Sequence, residues 1–243
     1  MNEKRKKENT LGSRIVFLTI FGIAMGFLEA AVVVYLRELY YPEGFAFPLT
    51  LIAIETLFIE YLREIATMVM LFSLGVIAGR NFPERLSFFL FSFGIWDIFY
   101  YVWLKILLNW PPSLFTWDIL FLIPVAWVGP VFAPIICSVT MILIAGCILH
   151  FQQKGYLVRI SLREWMLLIA GALVIFITFV WNFSRIIIQR GFISRFRTLR
   201  ADPDFQEIVA HYIPDSYNWY LFAFGEVLIL LFLILFCRRM KIH

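Results

Sequence analysis

Charge is scarce in this chain. Asp, Glu, Lys and Arg make up 16% of it, while 62% is hydrophobic and the mean hydropathy is +0.84. A soluble domain is about a quarter charged, and so few polar groups cannot cover a water-facing surface for 243 residues. Histidine and cysteine are scarcer still, with three of each. His150, His211 and His243 lie at the ends of apolar runs or between them, so no pair is placed to hold a haem between spans. No Glu-x-x-His motif offers a di-iron site. Cys137, Cys147 and Cys237 lack metal-ligand spacing, so there is no zinc motif. Phosphate-binding and dinucleotide glycine loops, His-Glu-x-x-His and the nucleophile elbow are all absent. These absences leave the cofactor unknown, and nothing in the pattern points to nucleic acid.

Long apolar runs are what the chain has instead. Segments near 15–36, 62–80, 87–108, 130–151, 165–184 and 219–237 are each about the 20 residues that cross a bilayer. The expected fold is all-α: a polytopic integral membrane bundle of about six transmembrane helices arranged as three hairpins. Residues 1–14 read as a basic cytoplasmic tail, and 15–243 as a single membrane domain. Lys4 to Lys7 ahead of an apolar run resemble the start of a secretory signal, but that run is long enough to span and is expected to remain as an anchor. The lipid bilayer is thus the first partner.

Orientation follows from the bases. They cluster before the first span, between the second and third, between the fourth and fifth, and after the sixth, each cluster two spans from the next. On the positive-inside rule these clusters are cytoplasmic, giving a multi-pass cell-membrane protein with both termini inside. That side then holds 13 of the 21 bases and 4 of the 17 acids. The outer side is acidic and attracts cations.

Three connections carry their own structure in this reading. Pro48 to Tyr61 is apolar but too short to cross, which suggests an interfacial or re-entrant piece. Glu55, Glu60 and Arg63 beside it read as a solvated helix face. Ser113 to Val128, interrupted by Pro124, reads equally as a re-entrant element or a proline-kinked start to the fourth helix. In the outer loop 185–218, Ile188 to Arg200 has the spacing of an in-plane amphipathic helix, and Asp202-Pro203 signals a second, short one.

Intramembrane acids are the remaining signal. Glu29, Asp97 and Glu226 sit inside spans, where each charge costs roughly 2.5–3.5 kcal/mol unless it faces the bundle or water. At about 1.5 Å per residue, Glu64 lies about 6 Å below the outer surface, Glu29 and Glu226 about 10 Å, and Asp97 about 16 Å. Together with Tyr101, one helical turn from Asp97, they form the candidate ligand- or ion-binding set. Gly22, Gly26 and Ala30 make a close-packing face beside Glu29, for which Arg37 is the expected partner. Trp96, Trp103 and Trp110 recur at steps of seven and read as a packing or lipid-facing stripe.

The leading expectation is an outward-facing acidic cavity in a transporter-like or binding protein that takes a proton, metal ion or organic cation. Its first alternative is an intramembrane enzyme acting on a lipid or lipid-linked substrate, with the acids as acid and base and outer-loop arginines holding an anionic headgroup. Its second is an accessory subunit with membrane-protein partners. The topology is tested in a cysteine-free background: single cysteines at Asn81 and Gln153 are shielded from an impermeant thiol reagent on intact cells, and one at Ser216 reacts. Reaction at Asn81 without reaction at Ser216 reverses the orientation.

Overall fold

The computed structural model describes residues 3–189, 191–192 and 202–242, with the side chains of 3–10 and 242 left aside. Helix accounts for 74% of the molecule. The elements are α1 (Glu3–Tyr40), α2 (Ile54–Ala78), α3 (Phe82–Leu108), β1 (Trp117–Phe121), β2 (Trp127–Pro130), α4 (Phe132–Gln153), α5 (Leu162–Gln189), α6 (Pro203–Ala210) and α7 (Trp219–Ile242). Six of these helices are long and apolar enough to cross a membrane. Their outward faces are apolar: Ile77 is 82% exposed and Phe17 69%. Glu60, Glu64, Arg37 and Asp118 are buried. Polar groups inside and large apolar groups outside suit hydrocarbon as the solvent, and this is a multi-pass membrane protein.

The six helices run alternately up and down. At the end that carries the basic clusters, Arg14 Nη1 donates to the Ala78 carbonyl at the close of α2, 3.2 Å away. Gln152, late in α4, donates to Asn81 before α3 at 2.9 Å, and Arg239, late in α7, bonds Glu164 in the first turn of α5 at 2.8 Å. Local chemistry sets the boundaries there. Asn81 caps α3 by accepting the Glu84 N–H at 3.0 Å, with Pro83 in the first turn. At the other, loop-bearing end, Asn109 in the left-handed conformation (φ 51°) stops α3 ahead of Pro111-Pro112.

Two connections differ from expectation. Ile54 to Tyr61 forms the first two turns of α2, leaving only Pro48 to Ala53 extended. No residue from 54 to 61 breaks a helix, and Glu55 in the first turn suits its dipole. Residues 113–130 are not a proline-kinked helix start: they hold an antiparallel β-hairpin, with Trp117 opposite Pro130 and Asp118 opposite Gly129. This hairpin penetrates between the helices. Phe121 near its tip meets Phe93 and Trp96 of α3 at ring-centroid distances of 6.5 and 6.2 Å, and Trp127 meets Phe176 at the middle of α5 at 4.9 Å. Most of the expected in-plane helix lies outside the described residues. Ile188 closes α5, and Phe192 is buried against Phe205 of α6, whose cap is Asp202.

Small residues bring several helix pairs into close contact, α2 with α3 through Gly75 and α3 with α4 through Gly94 among them. α1 lies on α3 through Gly22 and Gly26, where a Cβ on Gly26 would sit 3.0 Å from the Trp96 carbonyl oxygen and the Tyr100 nitrogen. α5 lies on α7 through Gly171 and Gly225; a Cβ on Gly171 would come within 2.7 Å of the Gly225 carbonyl. Backbone cannot retreat as a flexible side chain can. Gly171→Val is therefore expected to lower stability by about 1–3 kcal/mol in detergent unfolding. Gly146→Ala, which meets nothing within 4 Å in the interior of α4, does not lower it.

Candidate functional site

Three helix faces and the hairpin converge on one cavity of about 140 Å³. α2 contributes Glu60, Arg63, Glu64 and Thr67, whose spacing of three, four and seven is a single helical stripe. α3 contributes Trp96, Asp97, Tyr100 and Tyr101, α1 contributes Glu29 and Arg37, and β1 contributes Asp118. The stripes meet because α1 and α2 both pack on α3 and the hairpin fills the space that remains.

Two arginines organise the acids. Arg63 bridges two of them: its Nη1 pairs with Glu29, while Nε and Nη2 donate to Glu60 Oε2 at 2.9 and 2.6 Å. Thr67 Oγ1 donates to Glu29 Oε2 at 3.4 Å and adds a second tie from α2 to α1. Arg37 Nη2 donates to Asp118 Oδ1 at 3.1 Å, and its guanidinium lies between the rings of Trp110 and Phe45, 3.8 and 4.4 Å from their centroids. Tyr101 donates to Asp118 Oδ2 at 3.3 Å.

Neutral donors hold the other two acids. Ser138 of α4 donates to Asp97 Oδ2 at 2.7 Å. The Leu122 amide at the hairpin tip donates to both oxygens of Glu64, at 2.9 and 3.0 Å. Neither acid has a cationic hydrogen-bond partner among the described residues. Two buried donors on the cavity wall, Arg37 Nη1 and Trp96 Nε1, have no hydrogen-bond partner. The described residues hold no group of three or more His, Cys, Asp or Glu placed to bind a metal ion.

Of the candidate residues read from the sequence, Glu29, Glu64, Asp97 and Tyr101 come to this cavity and Glu226 does not. Glu226 faces α4, where Thr140 donates to its Oε2 at 2.9 Å and its Oε1 is buried without a partner. Depth along a helix is not azimuth, and α7 packs on α5 and α4, away from α1 and α2. Arg37 is not the partner of Glu29; its reach takes it to the hairpin, and Arg63 fills the role. Glu60 and Arg63 are not a solvated face either, because the hairpin and α1 cover them.

Asp118 was missed. Trp117-Asp118-Ile119 echoes Trp96-Asp97-Ile98 in the sequence, and that echo was its one visible signal. The tryptophan stripe packs: Trp103 Nε1 donates to the Ile23 carbonyl at 3.0 Å and Trp110 stacks on Arg37.

In comparisons with known proteins, no family model, no curated protein and no solved structure matches this chain.

The Arg37–Asp118 pair is buried on both sides. Asp118→Ala strands a buried guanidinium and is expected to cost about 3–5 kcal/mol of stability. The double variant Arg37→Met/Asp118→Leu, which removes both charges while keeping volume, recovers most of that loss in detergent unfolding.

Proposed function

We propose that this chain is a cell-membrane protein with both termini cytoplasmic, whose outward-side cavity binds an organic cation in a transporter-like role. The basic ends of all six spans lie together, which supports a cytoplasmic placing of that end under the positive-inside rule. The cation reading rests on one observation. Five carboxylates and two arginines line the same cavity, and Asp97 and Glu64 are left to neutral donors.

At an effective dielectric of about 20, a unit cation 4 Å from a carboxylate gains about 4 kcal/mol, so one such contact is worth far more than a tenfold change in affinity. The acids are spread around the wall, each already engaged by a donor of the chain. That arrangement suits an ammonium, which one carboxylate can pair, better than a metal ion, which draws several oxygens to one point. Trp96, Tyr100 and Tyr101 offer ring faces to the same charge.

The test uses the full chain in lipid nanodiscs and ethylammonium chloride as the probe, followed by calorimetric titration. Saturable binding is expected, weakened at least tenfold in Asp97→Asn and unchanged in Glu226→Gln, whose carboxyl lies outside the cavity. Equal affinity in Asp97→Asn, or no saturable binding by the native chain, rejects the reading.

A further inference from the structure

A second and larger space adjoins the acidic cavity. It measures about 830 Å³ and is enclosed by the start of α2, the segment before it, the hairpin tip, the end of α5 and α6. Its walls are mainly apolar, among them Leu49, Val125, Ala126, Phe183, Ile187 and Val209. The two spaces share Tyr41, Ile52, Leu57, Ile119 and Leu122 as lining residues, so a single wall of side chains forms the seam between them. Leu51 and Ile54 beside the larger space are 47% and 49% exposed, so its rim reaches the molecular surface.

Size separates their roles. Pockets that take a ligand of drug size run to about 300–1,000 Å³, a range that includes the chamber and excludes the cavity. The cavity is large enough for a headgroup alone. Its walls call for two kinds of atom in that headgroup. Asp97 and Glu64 call for a cation. Arg37 is 7% exposed and Trp96 4%, and each holds a donor nitrogen with no partner, which calls for an acceptor oxygen.

We propose that cavity and chamber are the head and tail halves of one site for a long-chain amine carrying a neighbouring oxygen, such as a 1,2-amino alcohol. The inference rests on the cation reading above and names its substrate class. The ammonium lies against Asp97 and Glu64, the oxygen accepts from Trp96 Nε1 and Arg37 Nη1, and the chain crosses the seam at Ile119 and Leu122 into the chamber. A ligand already dissolved in the bilayer reaches the chamber from the side and brings its head to the acids without exposing its chain to water.

The experiment compares ethylamine, dodecylamine and 2-aminododecan-1-ol on the full chain in phosphatidylcholine nanodiscs, with uptake by empty nanodiscs subtracted. Two chamber-filling variants from different elements, Ala126→Phe and Val209→Phe, guard against a folding defect in either, and gel filtration confirms that each is monodisperse. Both are expected to weaken dodecylamine at least tenfold and to leave ethylamine unchanged. The amino alcohol is expected to bind more tightly than dodecylamine, and Trp96→Phe to remove that difference. If ethylamine binds but dodecylamine is indifferent to both chamber variants, the assignment of the chamber is overturned and the cation reading stands. Equal binding of amine and amino alcohol by the native chain overturns the acceptor assignment. If none of the three binds saturably, the cation reading itself fails.

Discussion

Arg63 holds together a part of the bundle that apolar packing alone would leave loose. α1 and α2 both lie on α3, and the side chains that join them include Arg63 with Glu29 and Thr67 with Glu29. In hydrocarbon an unmatched charge costs several kcal/mol, so these groups are committed to one another once the helices insert. That commitment fixes the rotation of both helices about their axes. With Glu29 and Glu60 turned inward, helical spacing turns Arg37, Glu64 and Thr67 inward as well. The cavity wall is therefore a consequence of the ion pairs that orient the helices.

The hairpin meets a second requirement of the same medium. Backbone that enters a membrane without being helical must find partners for its N–H and C=O groups inside the protein. The β1–β2 ladder satisfies most of them, Trp127 Nε1 donates to the Ile123 carbonyl at 2.8 Å, and Glu64 accepts the Leu122 N–H at the tip. Glu64 thus serves structure while it lines the cavity. Replacing it affects two things at once, which is why Asp97 is the cleaner probe of ligand binding.

The six spans were legible in the sequence because hydrocarbon thickness imposes a length and leaves little freedom in composition. Asp202-Pro203 and the Gly22–Gly26 face were legible for a similar reason, since capping and close approach depend on residues near one another in the chain. Azimuth was only partly legible. Glu60, Arg63, Glu64 and Thr67 form a stripe that periodicity alone displays, yet charged residues near a span end also suit headgroups, and the sequence does not say that a hairpin will cover them. Residues 113–129 gave no alternation clean enough to mark two strands, because β1 and β2 are apolar at almost every position and read as continuous apolar chain. Asp118 was hidden with them. Glu226 shares the depth of Glu29 but not its azimuth, and depth is all that position along a span displays.

The large apolar chamber follows from how the hairpin is wedged. α5 closes tightly on α7 through Gly171 and Gly225, and α1 closes on α3 through Gly22 and Gly26, so each half of the molecule is sealed by backbone contact. Gly94 of α3 joins the halves against the Ser138 carbonyl of α4, and beside that contact stands the hairpin, with Phe121 against α3 and Trp127 stacked on Phe179 of α5 at 6.0 Å. Aromatic rings at its tip keep α2 and α5 apart at the loop-bearing end, where no glycine pair draws them together. Tight packing of a membrane interior is reached by small residues meeting, and here large residues meet instead. The space that remains is lined by Leu122, whose N–H bonds Glu64. Charge matching, the wedge and the chamber are thus three results of placing a non-helical backbone among apolar helices.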